Sequence, residues 1–119
     1  MAGPQEIKKP TIHLFHHTSC DPVLLREIKL GMEEEGIPWV EETREGGAVA
    51  LAWDAARSAN LEVGIGLDAQ YMVLHYNKLK PDAPLFQLSA HSGATMARAL
   101  GSNAARLVKK LPLKALDGR

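Results

Sequence analysis

Only three residues, Asp68-Ala69-Gln70, join the apolar run Leu61–Leu67 to the run Tyr71–Tyr76. A link that short allows no crossover, so the two runs must pair as antiparallel strands. The earlier strand-like runs, Thr11–Phe15 and Ile37–Glu41, are each followed by a helix-length segment. That is the spacing of parallel strands joined by right-handed crossovers. With a fifth short run at Leu85–Leu88 and a final helical repeat, the order reads β-α-β-α-β-β-β-α. It predicts a three-layer α/β/α sandwich on a five-stranded mixed sheet, strand order 2-1-3-4-5, with strand 4 antiparallel.

The helices carry signals of their own. Asp21-Pro22 starts the first: the aspartate can accept from an early N–H, and proline at the first helical position gives up no bond. Leu24, Leu25, Ile28 and Met32 recur at helical spacing, which predicts a helix over 21–35 that stops at Gly36. A second helix, 48–59, is mostly alanine, and its small side chains suggest close approach to a sheet or a partner. The last, 93–110, should bury Met96, Leu100, Ala104, Leu107, Val108 and Leu111, and Pro112 ends it. Gly101 in its middle costs about 1 kcal/mol against alanine, which a close backbone contact would rationalise. Residues 1–10 read as a flexible N-terminal lead-in, and 11–116 as a single α/β domain.

A chain of 119 residues suits one domain rather than two. Fourteen basic residues balance fourteen acidic ones, so there is no long-range field to gather nucleic acid or an anionic membrane. Aromatics are 5% of the chain and no stacking platform is visible, which leaves nucleic-acid binding without support. Near-zero net charge weakly favours life inside a complex. The single cysteine, Cys20, excludes an intramolecular disulfide and fits a reducing compartment. Residues 1–10 hold no apolar core of a signal peptide. The longest apolar stretch, Ala48–Trp53, falls far short of the roughly 20 residues a membrane span needs. The expectation is a cytoplasmic protein.

Catalytic signatures are missing. No G-x-x-x-x-G-K-S/T occurs, and Gly64-Ile65-Gly66 lacks a third glycine, since Ala69 stands there. Those two glycines read instead as places of close packing within a strand. There is no G-x-S-x-G elbow. His13, His16, His17 and Cys20 are residue types that suit zinc, but only one thiol is present and no second pair follows at finger spacing. They are expected as solvated loop histidines, with His13 turned away in its strand and Cys20 a buried or inert thiol. Glu33-Glu34-Glu35 is more informative. Three carboxylates crowd the end of a helix whose carbonyls already carry partial negative charge. They fan out by about 100° per residue, so at most two can serve one ligand. Two readings stay open: a solvated acidic helix end, or a carboxylate that meets a metal ion or a basic partner.

Several segments taken together resemble the small subunit of the diol/glycerol dehydratase reactivating factors. They are Gly31–Pro38 (GMEEEGIP), Val63–Leu67 (VGIGL), Leu79–Leu85 (LKPDAPL) and Gly101–Leu113 (GSNAARLVKKLPL), in this order and spacing, within a likeness running from about residue 10 to 116. The resemblance implies an anticodon-binding-domain-like sandwich and a chaperone-like role without catalysis by this chain. A large ATPase subunit would be its partner in a heterotetramer. Together they would release damaged cobalamin from an adenosylcobalamin-dependent dehydratase, this chain taking the place of the dehydratase's medium subunit. It also implies that the second glutamate of the G-x-E-E-x-G segment, here Glu34, helps hold a magnesium ion at the contact with the large subunit. No cofactor is expected on this chain alone, and a bacterial microcompartment is an allowed setting. The segment around His16, His17 and Cys20 matches nothing in that family pattern.

Two other readings compete. The chain could be a structural, medium-subunit-like part of the dehydratase itself, although its domain begins by residue 11 with no long extension before it. It could also be an unrelated binding module, such as an RNA-contacting domain.

Overall fold

The computed structural model describes residues 10–116. The predicted lead-in over 1–10 therefore lies, except for Pro10, outside the described residues. The elements are β1 (Ile12–His16), α1 (Pro22–Glu34), β2 (Trp39–Thr43), α2 (Ala48–Ser58), β3 (Val63–Leu67), β4 (Tyr71–Tyr76), β5 (Phe86–Ser89) and α3 (Ala94–Lys109). One 3-10 turn, Ala90–Ser92, precedes α3 and was not expected. The strands lie in the order β2-β1-β3-β4-β5. β1 is parallel to β2 and β3, and β4 is antiparallel to β3 and β5, as the connection lengths require.

Alternation along the strands divides the core into two layers. Ile12, Leu14, Ile65, Leu67, Met72 and Leu74 are fully buried in one cluster with Leu24, Ile28 and Met32 of α1 and Leu100 of α3. Phe15 packs with Leu51 and Ala55 of α2, and Val73 with Ala48 and Ala52. Thus α1 and α3 cover one face and α2 the other. The alanine-rich sequence of α2 has its counterpart in the strand beneath. A β-carbon at Gly64 would stand 2.6 Å from the Ala52 carbonyl oxygen, and one at Gly66 3.0 Å from Ala52 Cα. The strand glycines serve close packing.

Most element ends lie a residue or two from expectation, and three of the differences have a clear local reason. β2 begins at Trp39 rather than Ile37, because the helix end consumes the intervening backbone. Gly36, at φ +79°, donates its N–H to Glu33 O (3.0 Å) and Ile37 donates to Met32 O (3.3 Å), which closes α1 in a left-handed cap. β3 begins at Val63 rather than Leu61, since Glu62 takes φ +65° and its N–H returns to Ala59 O. Leu111 does not join the buried stripe of α3. Lys110 adopts a left-handed conformation at the helix end and turns the chain outward, leaving Leu111 43% exposed. The buried stripe instead centres on Ala97, Leu100, Gly101, Ala104 and Ala105, with Ser102 and Asn103 fully buried among them.

The α1–α3 contact is backbone to backbone. A β-carbon at Gly31 would stand 2.7 Å from Ser102 N and nearer still to the Arg98 carbonyl oxygen. One at Gly101 would meet the Ile28 carbonyl carbon at 2.8 Å. Gly101 thus has the close neighbour that its place in mid-helix called for.

Candidate functional site

Because the two helices touch at Gly31 and Gly101, the acidic end of α1 lies along the cationic flank of α3. Glu27 and Glu34 are seven residues apart, about two turns, on either side of Gly31. Arg98 straddles that gap. Its Nε donates to Glu27 Oε1 at 2.9 Å and its Nη1 to Glu34 Oε2 at 2.6 Å. Glu35 faces a different set. Ser102 Oγ donates to its Oε2 at 2.7 Å, Arg106 Nε to the same oxygen at 2.9 Å, and Lys109 Nζ to Oε1 at 3.2 Å. Lys109 Nζ also donates to the Glu35 backbone carbonyl at 2.8 Å, placing a cation where the helix dipole wants one. The Ser102 hydroxyl first, then Arg106, hold the Glu35 carboxyl down to about 2.

The acidic turn is therefore not a uniformly solvated end. Glu35 keeps only 13% of its side chain exposed and is neutralised from α3, whereas Glu34 is 48% exposed and Glu33 points into solvent. The expected fan of directions is what separates them: Glu34 reaches Arg98, Glu35 reaches Arg106 and Lys109. Glu33 also borders a shallow apolar hollow with Gly36, Ile37, Pro38 and Trp39. Among the described residues no three His, Cys, Asp or Glu side chains gather closely enough to hold a metal ion. A hard cation such as magnesium takes about six oxygens. Glu34 alone offers two carboxylate oxygens, one of them already bonded to Arg98.

The histidines and Cys20 lie apart, at the C-terminal end of β1. His16 Nε2 is 2.9 Å from Glu41 Oε2, and Cys20 Sγ approaches His16 Nδ1 at 3.8 Å. His17 turns the other way: its Nδ1 accepts from Ser19 N–H at 3.1 Å and its Nε2 reaches Glu45 Oε1 at 3.1 Å. His13 belongs to the α2 face beside Phe15, and its Nδ1 is buried without a hydrogen-bond partner. Burial pushes its pKa down. Both His16 and His17 are only partly exposed, so they are carboxylate-paired rather than freely solvated. Cys20 is 9% exposed, and burial first, then Asp21 and Glu41, push its thiol up, away from nucleophilic use.

The reading from sequence missed Arg98, Ser102, Asn103 and Arg106. Their signal is periodic: residues 98, 102, 106 and 109 share one face of a helix, and because that face lies opposite the predicted apolar stripe it reads from sequence as solvent-facing. Asn103, buried one step around, donates to Lys114 O at 2.9 Å and accepts from Lys114 N–H at 2.7 Å, which ties down the segment after the helix.

A protein family described as "dehydratase medium subunit" matches residues 9–114. The diol dehydratase-reactivating factor small subunit of Klebsiella michiganensis is 45% identical over 109 residues, covering 91% of this chain and 86% of that protein. Among solved structures, a diol dehydratase-reactivating factor complexed with ADP and Mg2+ superposes with TM-score 0.83 at 43% identity, covering 91% of this chain and all of that one. A glycerol dehydratase reactivase superposes with TM-score 0.84 at 38% identity, covering 91% and 99%. The four segments that carried the resemblance thus sit in a chain related along nearly its whole described length, and it belongs to the dehydratase medium-subunit family and, within it, to the small subunits of the diol and glycerol dehydratase-reactivating factors.

Proposed function

We propose that this chain is the non-catalytic small subunit of a dehydratase reactivase and that it acts by exchange. It takes the place of the dehydratase's medium subunit while damaged cobalamin escapes, and a large partner subunit, with which it forms a heterotetramer, hydrolyses the ATP. The observation that carries this reading is one of kinship. The chain is 45% identical to a reactivating factor small subunit, yet the family description it matches is that of a dehydratase medium subunit. A shared body supports a shared docking place. Glu34 would donate one carboxylate oxygen to a magnesium ion at the contact with the large subunit; its half-exposed position, and the Mg2+ carried by a solved relative, support this. Such an ion would supply positive charge that lets the Glu34 carboxylate sit at a contact with another chain. The setting would be bacterial cytoplasm, with a microcompartment compatible. Among the described residues no helix is long and apolar enough to cross a membrane.

The test uses dehydratase inactivated with its cobalamin still bound, mixed with large subunit, ATP and magnesium, with and without this chain. Cobalamin and free medium subunit should both leave the dehydratase only when the chain is present. Cobalamin release with the medium subunit still attached would refute the exchange. The family description also favours a second reading, a structural subunit of the dehydratase itself. Purification from its host as a cobalamin-bound catalytic complex, without an ATPase partner, would establish that reading instead.

A further inference from the structure

We infer that Arg98 is a built-in competitor for the cation at Glu34: it holds that carboxylate in the free subunit, and its hold opposes the arrival of a divalent ion. The inference rests on the reading of Glu34 as a cation ligand. Four observations carry it. First, Arg98 has two partners of unequal kind. Glu27 keeps 17% of its side chain exposed and Glu34 48%, so letting go of Glu34 leaves the guanidinium still paired at Nε with the better-shielded carboxylate. Second, the head group has room to move. It borders an open cleft of about 440 Å³, lined also by Glu27, Ala94, Thr95, Ala99 and Lys114. Third, the scaffold beneath it is close-packed and tied down. The Arg98 carbonyl lies against Gly31, and the next carboxylate, Glu35, is held by Ser102, Arg106 and Lys109. The exchange is therefore confined to one side chain. Fourth, Arg98 already occupies Glu34 Oε2, and its positive charge beside the carboxylate opposes a cation at either oxygen. Sharing weakens both.

The two partners of Arg98 give predictions of opposite sign. Arg98→Met frees Glu34, so the divalent concentration needed for assembly should fall about twofold to fivefold, the range an exposed ion pair spans. Glu27→Gln removes the shielded anchor, Arg98 leans wholly on Glu34, and the requirement should rise. General damage to the fold would shift both variants the same way. The experiment measures half-saturating Mg2+ for assembly of the full chain with the large subunit. In parallel, Mn2+ is titrated into the chain alone and read as paramagnetic broadening at the amides of Glu34 to Gly36. Glu34→Gln is the control. If it assembles with the wild-type Mg2+ dependence, the Glu34 reading fails and the competitor falls with it. If it loses that dependence, but Arg98→Met leaves the requirement unchanged or raises it, only the role given to Arg98 is overturned.

Discussion

Consider Gly31→Ala. Local reasoning predicts a gain, because alanine in a helix interior is favoured over glycine by about 1 kcal/mol. The tertiary contact predicts the reverse. The new methyl would stand 2.7 Å from Ser102 N, and closer still to the Arg98 carbonyl, where unstrained heavy-atom contacts need about 3.5 Å. Both obstacles are backbone of α3, so no rotamer change relieves them, and the nearer one, the Arg98 carbonyl, forces the helices apart by more than an ångström. A gap of that size forfeits about half or more of the dispersion energy along the seam, and it lengthens the bonds from Arg98 to Glu27 and from Arg106 to Glu35. Overpacking a close-packed interior costs about 1–3 kcal/mol, and a rigid obstacle places this site at the upper end. After the propensity gain, the net loss should be about 2 kcal/mol. With a urea slope of about 1–3 kcal/mol per molar, the unfolding midpoint should fall by on the order of 1 M. Urea unfolding followed by far-UV circular dichroism measures this. Gly101→Ala should behave alike, and the double variant should lose less than the sum, because the helices need to separate only once. A Gly31→Ala protein as stable as wild type, or more so, would refute a backbone-to-backbone seam.

Other outcomes follow from the same geometry. Glu35 has its folded pKa depressed to about 2, so its contribution is complete above the ordinary carboxylate range and is lost as pH falls from there towards 2. Wild type should lose stability across that window more steeply than Glu35→Gln, as thermal melts at successive pH values would record. Glu34→Ala should weaken assembly with the large subunit while leaving the melt of the isolated chain within about 0.5 kcal/mol of wild type, as an exposed surface change does; unchanged affinity in a magnesium-containing pull-down would contradict it. Asn103→Leu should cost about 1–3 kcal/mol, because the backbone groups of Lys114 lose their partners. Hydrogen exchange at the Lys114 amide should rise with it. Cys20, with its thiol pushed up by burial, should react slowly with a thiol reagent at pH 8 in the folded chain and at the ordinary rate in urea.

The topology was legible because connection lengths and strand alternation are local and survive any packing. Asp68-Ala69-Gln70 forces an antiparallel pair whatever surrounds it, and the observed β3–β4 register agrees. The fit of α2 onto Gly64 and Gly66 was half legible: alanines and glycines suggested closeness without saying which helix met which strand. The acidic turn shows where sequence reasoning stops. The three carboxylates and the direction of the helix dipole could be read, but their counter-ions lie 64 to 74 positions away on α3. Only the crossing at Gly31 and Gly101 brings them together. Leu111 was misassigned because helical periodicity was carried past Lys110, and nothing in a leucine announces a left-handed residue just before it.

Where Gly31 and Gly101 sit, backbone meets backbone with no side chain between, and the seam there behaves like a spline joint. Neither helix can roll or slip along the other without backbone colliding with backbone, so α1 and α3 must travel as one plank. Its longer member, 16 residues of α3, reaches about 24 Å. A push delivered beside Glu33 would then arrive at the far end of that plank as tilt, instead of being absorbed by bending near the point of contact.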